Sequence, residues 1–147
     1  MTLQEILRNK SATVRSISPQ ASLEDVVQTL VRHNIGSLVV CADAEGNQPC
    51  QMVGIITERD ILRATAAHRA PLTAQRVEEV MTSDVVTASP NDSVEDVMGL
   101  LTDRRIRHLP ILDGGKLVGI ISIGDIVKAQ HDELSLENHY LRSYIHG

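Results

Sequence analysis

A chain of 147 residues, 42% apolar and 22% charged, suits one compact domain or two small ones sharing a core. Its net charge of −5 lies in no long run, and Tyr140 and Tyr144 are its only large aromatics, so it has neither the basic footprint nor the stacking platforms of a nucleic-acid binder. No apolar run nears the roughly 20 residues of a membrane span, and the N-terminus lacks the regions of a secretory signal.

Cys41 and Cys50 are too few for a disulfide scaffold and form no CxxC pair. Their plain reading is a cytoplasmic protein with reduced thiols. The sharper alternative pairs them across one hairpin loop. In chain order, Leu3 to Leu7 form a lead-in, and Val14 to Ile17 read as a short strand closed by Ser18-Pro19, where proline disfavours helix at the preceding residue. Ser22 with Asp25 has the spacing of a capping box, and Leu23, Val26, Val27 and Leu30 make the buried stripe of a helix running to about His33. Ser37 to Cys41 and Val53 to Thr57 read as strands joined by a loop from Asp43 to Gln51. The second strand feeds a helix through Thr57-Glu58-Arg59-Asp60, and Ala66 to Gln75, holding Pro71, is a connector.

The same order then recurs. An offset of 71 residues carries Ser18-Pro19 onto Ser89-Pro90, Ser22 and Asp25 onto Ser93 and Asp96, and Leu38 onto Leu109. After the hairpin the offset becomes 65, carrying Val53-Gly54-Ile55-Ile56-Thr57 onto Val118-Gly119-Ile120-Ile121-Ser122, and Asp60 onto Asp125. Val85 to Thr87 match the first strand, and Val77 to Met81 resemble the lead-in Leu3 to Leu7. An internal duplication is the simplest account. The expected organisation is a first repeat over 1–69, a connector over 70–76, a second repeat over 77–130 and a tail over 131–147. Leu134, Leu141 and Ile145 recur at near-helical spacing, so the tail reads as a partly buried helix.

The paired Thr57/Asp60 and Ser122/Asp125 motifs have two readings. A hydroxyl three residues before an acid at a helix start is a capping box; the same groups also suit a ligand. On the duplicated β-α-β-β-α order and the Gly-x-x-Ser/Thr-x-x-Asp motif, supported by Val80-Met81-Thr82 and Arg107-His108-Leu109-Pro110, the chain resembles the cystathionine-β-synthase (CBS) domain. Two such domains in tandem resemble a stand-alone Bateman module, and the likeness covers about Ile6 to Ala129.

The resemblance implies an α/β fold of two CBS repeats packed as one pseudo-twofold module, with clefts that take adenosine-containing ligands: AMP, ADP, ATP, NAD or S-adenosylmethionine. Asp60 and Asp125 would accept ribose hydroxyls through charge-assisted bonds. Thr57 and Ser122, with the adjacent helix N-termini, would suit phosphate. The strands around Ser37 and His108 would read the adenine edge. Arg107 and His108 are charged or titratable where the first repeat has Gly36 and Ser37, while Arg59 lies inside the first motif; the two clefts are therefore expected to differ, that of Asp125, Arg107 and His108 preferring more phosphate.

His33, His68, His108, His131, His139 and His146 show no paired metal spacing, and no Ser or Cys sits in a Gly-x-Ser-x-Gly elbow. The expected protein is thus a regulatory sensor and a homodimer, not an enzyme, which transmits a ligand-dependent change to a partner. A ligand-free dimerisation adaptor and thiol sensing through Cys41 and Cys50 are the alternatives.

Overall fold

The computed structural model describes residues 1–10, 14–42, 50–67 and 70–146. Most of the loop expected between Asp43 and Gln51, together with His68 and Gly147, lies outside the described residues. The elements run α1 (Leu3–Asn9), β1 (Ser16–Ile17), α2 (Leu23–His33), β2 (Ser37–Cys41), β3 (Met52–Thr57), α3 (Glu58–Ala67), a 3-10 turn (Leu72–Ala74), α4 (Val77–Val80), α5 (Val94–Arg104), β4 (His108–Asp113), β5 (Lys116–Ser122) and α6 (Ile123–His146). The expected duplicated α/β order is observed except for the first strand of the second repeat.

In the first repeat β2 is the central strand, parallel to β1 and antiparallel to β3. All five of its residues are buried, which explains a continuous apolar run rather than an alternating one. In the second repeat β4 and β5 form an antiparallel pair, and the strand expected at 85–87 is reduced to a single parallel bridge between Ala88 and Ile111. Pro110 gives the reason. Its counterpart Val39 donates its backbone N–H to the Arg15 carbonyl at 3.2 Å; proline has no N–H to donate to the equivalent position, so the ladder stops short.

The helix starts follow the sequence. Ser22 and Asp25 form a reciprocal capping box, the Asp25 N–H donating to Ser22 Oγ at 3.1 Å and the Ser22 N–H to Asp25 Oδ2 at 3.3 Å. At α5 the Asp96 N–H donates to Ser93 Oγ at 3.2 Å. Both helices end in a left-handed residue, Asn34 (φ 51°) and Arg105 (φ 54°), 71 positions apart.

The two repeats exchange their lead-ins. Leu3 and Ile6 of α1 are buried with Val94, Val97, Leu101 and Leu109 of the second repeat, whereas Val77 of α4 is buried with Leu23, Val26, Leu30 and Leu38 of the first. Matching backbone bonds seat both helices: Leu3 N–H to Asp92 O (3.1 Å) and Val94 N–H to Met1 O (3.0 Å) on one side, Val77 N–H to Ala21 O (2.9 Å) and Leu23 N–H to Gln75 O (3.0 Å) on the other. Each core therefore needs chain from the other repeat.

The tail departs from expectation. It is helical, as the continuation of α6, but residues 131–145 are exposed along their whole length. Leu134, Leu141, Tyr144 and Ile145 all keep more than half of their surface exposed.

Candidate ligand site between the repeats

Both hydroxyl-x-x-acid motifs have the geometry of a cap. The Thr57 N–H donates to Asp60 Oδ2 at 3.0 Å and the Ser122 N–H to Asp125 Oδ2 at 2.8 Å. The acid N–H groups return the bond to Thr57 Oγ1 at 3.4 Å and to Ser122 Oγ at 3.1 Å. What surrounds the two acids differs.

Asp60 is closed in, with 8% of its surface exposed. Thr82, just after α4, pairs with Ile55 of β3 through two backbone bonds of 3.0 and 2.9 Å, and its hydroxyl reaches Asp60 Oδ1 at 3.4 Å. The Met81 side chain lies over Gly54, where an added Cβ would stand 2.7 Å from its sulfur. The sequence pairs small Gly54 with the following lead-in because only glycine admits so close an approach.

Asp125 opens onto a cavity of about 360 Å³ between the repeats, within the range of small-molecule sites. Lys10, Val14 and Arg15 line it from the chain after α1, Asn34 to Ser37 from the start of β2, and His108, Gly119, Ile120, Ser122 and Asp125 from the second repeat. Lys10 Nζ donates to Asp125 Oδ2 at 2.7 Å and to the Ile120 carbonyl. Burial alone would push the Asp125 carboxyl up; the Lys10 ammonium and the Ser122 N–H outweigh it and hold the group below the ordinary carboxylate range.

His108 faces the first repeat: a Cβ on Gly36 would stand 3.0 Å from both its Nε2 and Glu58 Oε1. Burial pushes the imidazole down, Glu58 and Asp125 pull it up, and Lys10 and Arg107 push it down again; the net direction is downward, so the ring is neutral near pH 7.

Of the sequence-expected residues, Ser37, His108, Ser122 and Asp125 meet in this cavity. Gly36 and Ser37 thus join His108 in one cleft rather than furnishing a separate one, because the Gly36 backbone lies directly against the His108 ring. Arg107 is exposed and does not line the cavity, and Thr57, Arg59 and Asp60 lie outside it. Lys10, Val14, Arg15 and Asn34 were not singled out from sequence. The resemblance between the two lead-ins was the available signal, since it places Lys10 beyond a helix that must pack somewhere.

Cys41 and Cys50 are joined in a disulfide, so the expectation of reduced thiols gives way to the paired alternative. The hairpin brings them together: β2 ends at Cys41 opposite Met52 of β3, with Cα atoms of the two cysteines 5.4 Å apart. Among the described residues no helix is long and apolar enough to cross a membrane.

The fold and the paired motifs define a tandem regulatory module. The CBS domain family profile matches residues 3–67 and 77–132, and the chain belongs to that family. It is 32% identical over 152 residues to the mitochondrial CBS domain-containing protein CBSX3 of Arabidopsis thaliana, covering 99% of this chain and 72% of that one. The crystal structure of the CBS-domain protein ATU1752 from Agrobacterium tumefaciens superposes with a TM-score of 0.80 at 38% identity, over 88% of this chain and 99% of that one. The CBS domain pair of MJ0100, solved with 5-methylthioadenosine and S-adenosyl-L-methionine, has a TM-score of 0.75 at 26% identity, covering 90% of this chain and 98% of that one.

Proposed function

We propose that the protein is a regulatory module, not a catalyst, that binds one adenosine-containing ligand in the Asp125 cavity and passes the resulting change to a partner. The observation that carries this reading is the asymmetry of the two acids: Asp125 lines a cavity, whereas Asp60 is buried and bonded to Thr57 and Thr82. Asp125 has the chemistry to accept ribose hydroxyls. Backbone groups at Ser37 and His108 would read the base, while Ile35 and Val118 hold its faces. The adenosyl ligands of the MJ0100 pair support this class.

A homodimer fits the first repeat. Val31 and Leu62 are 76% and 69% exposed and flank a shallow apolar groove of α2 and α3, the kind of face that symmetric pairing covers. Ligand binding would act by shifting populations of module conformations, in proportion to its differential affinity for them.

A thermal-melt panel with AMP, ADP, ATP, NAD and S-adenosylmethionine tests the reading. At a hundredfold excess over Kd a ligand stabilises by about 2.7 kcal/mol, and Asp125→Ala should abolish that shift. No shift with any ligand would leave the dimerisation adaptor as the better account. The disulfide favours a second reading, thiol-based sensing through Cys41 and Cys50; in a reducing compartment such a bond forms transiently, as a signal. Mass spectrometry of oxidised and reduced protein, with the melt repeated on each, separates the two.

A further inference from the structure

The pseudo-symmetry of the repeats exposes a substitution at equivalent places. In the first half, two acceptors stand side by side: the Ile55 carbonyl and the Asp60 carboxylate. Thr82 fills both, the first with its backbone N–H at 2.9 Å and the second with its hydroxyl at 3.4 Å. In the second half the equivalent acceptors are the Ile120 carbonyl and the Asp125 carboxylate, and the ammonium of Lys10 fills both. A backbone pairing cannot leave without unzipping a strand edge. A lysine amine on a four-carbon stem can leave by side-chain rotation alone.

We infer that Lys10 is a resident occupant of the ligand site and its specificity determinant: it yields the Asp125 carboxylate to the hydroxyls of an incoming nucleoside and becomes the counter-ion of that nucleoside's phosphate. This rests on the adenosine-ligand reading and deepens it. Among the described residues, Lys10 and Arg15 are the cationic side chains lining the cavity and Asp125 is the acid, while burial keeps His108 neutral near pH 7. Once neutral hydroxyls engage Asp125, the lining carries one net positive charge beside the displaced amine. A phosphate dianion meets that charge; a sulfonium nucleoside adds a further cation next to Lys10 and Arg15. The cleft therefore selects phosphorylated nucleosides over unphosphorylated or cationic ones.

The test is isothermal titration of the full chain, wild type and Lys10→Met, with adenosine, AMP and S-adenosylmethionine. The wild type should bind AMP about tenfold or more tighter than adenosine, the ratio expected for about 1.4 kcal/mol of charge-assisted bonding. In Lys10→Met that ratio should collapse towards unity, with adenosine binding retained or strengthened because Asp125 no longer holds an internal partner. Lys10→Arg should restore the preference for AMP, and Lys10→Gln replaces the Met variant if its melt shows a folding defect. An unchanged AMP-to-adenosine ratio in the uncharged variants, whether or not both affinities fall together, overturns the inference, while the wild type's binding leaves the nucleoside site standing. Failure of the wild type to bind any of the three overturns both.

Discussion

Lys10 Nζ stands 2.7 Å from Asp125 Oδ2, joining the segment after α1 to the first turn of α6 across 115 positions of sequence. The pair is partly exposed, so its contribution at neutral pH is modest, about 1 kcal/mol or less. Its signature is in acid. The folded-state pKa of Asp125 is depressed, so its stabilisation is complete above the unfolded value of about 3.9 and is lost as pH falls through the folded value. The melting midpoint of Lys10→Met should therefore fall less steeply than wild type between about pH 5 and pH 3. Parallel profiles would show that the ion pair contributes nothing to folding.

His108 titrates higher. Its folded-state pKa lies below the ordinary value, so its contribution is complete above about pH 6.5 and declines as pH drops through that value towards the folded one. Glu58, Lys10, Asp125 and Arg107 set the charge around it. His108→Gln should flatten the stability profile between about pH 7 and pH 5. Melting curves across that window check it, and a profile with the wild-type slope would assign the acid sensitivity to other groups.

The exchanged lead-ins predict where damage travels. Leu3 is fully buried against the second repeat, and Leu3→Ala should cost about 2–5 kcal/mol. Hydrogen exchange should show the loss of protection in β4, β5 and α5, more than 90 residues away in sequence, and not first in β2 and β3. Val77→Ala should do the reverse. Loss confined to each residue's own repeat would contradict the exchange.

Arg105 ends α5 in a left-handed conformation at φ 54°. A side chain there costs roughly 1–2 kcal/mol that glycine avoids, partly offset by the greater unfolded-state freedom of glycine. Arg105→Gly should raise stability by about 0.5–1 kcal/mol. Denaturant unfolding with an unchanged m-value measures it directly.

What was legible in the sequence is what depends on local chemistry. The apolar stripe of α2, the Ser22 and Ser93 caps and the duplicated strand order were all readable, because period and capping are set within a few residues. The shortening of the strand at 85–87 was readable in principle, since Pro110 cannot donate the bond that Val39 makes. The exchange of α1 and α4 was not, because nothing local says which core Leu3 enters. For the same reason Thr82 and Lys10 were missed: each matters only through an acceptor in a distant part of the chain. Asp60 and Asp125 look alike in sequence and differ only in what the following lead-in lays over them. The tail's apolar spacing gave its helix correctly but could not supply a surface to bury Leu134 and Leu141.

Isothermal titration of AMP into wild type, Asp60→Asn and Asp125→Asn tests the central claim, that one cleft per chain is a ligand site. One AMP should bind per chain, and binding should be lost in Asp125→Asn and retained in folded Asp60→Asn. Two AMP per chain, or binding that survives Asp125→Asn and disappears in Asp60→Asn, would contradict it.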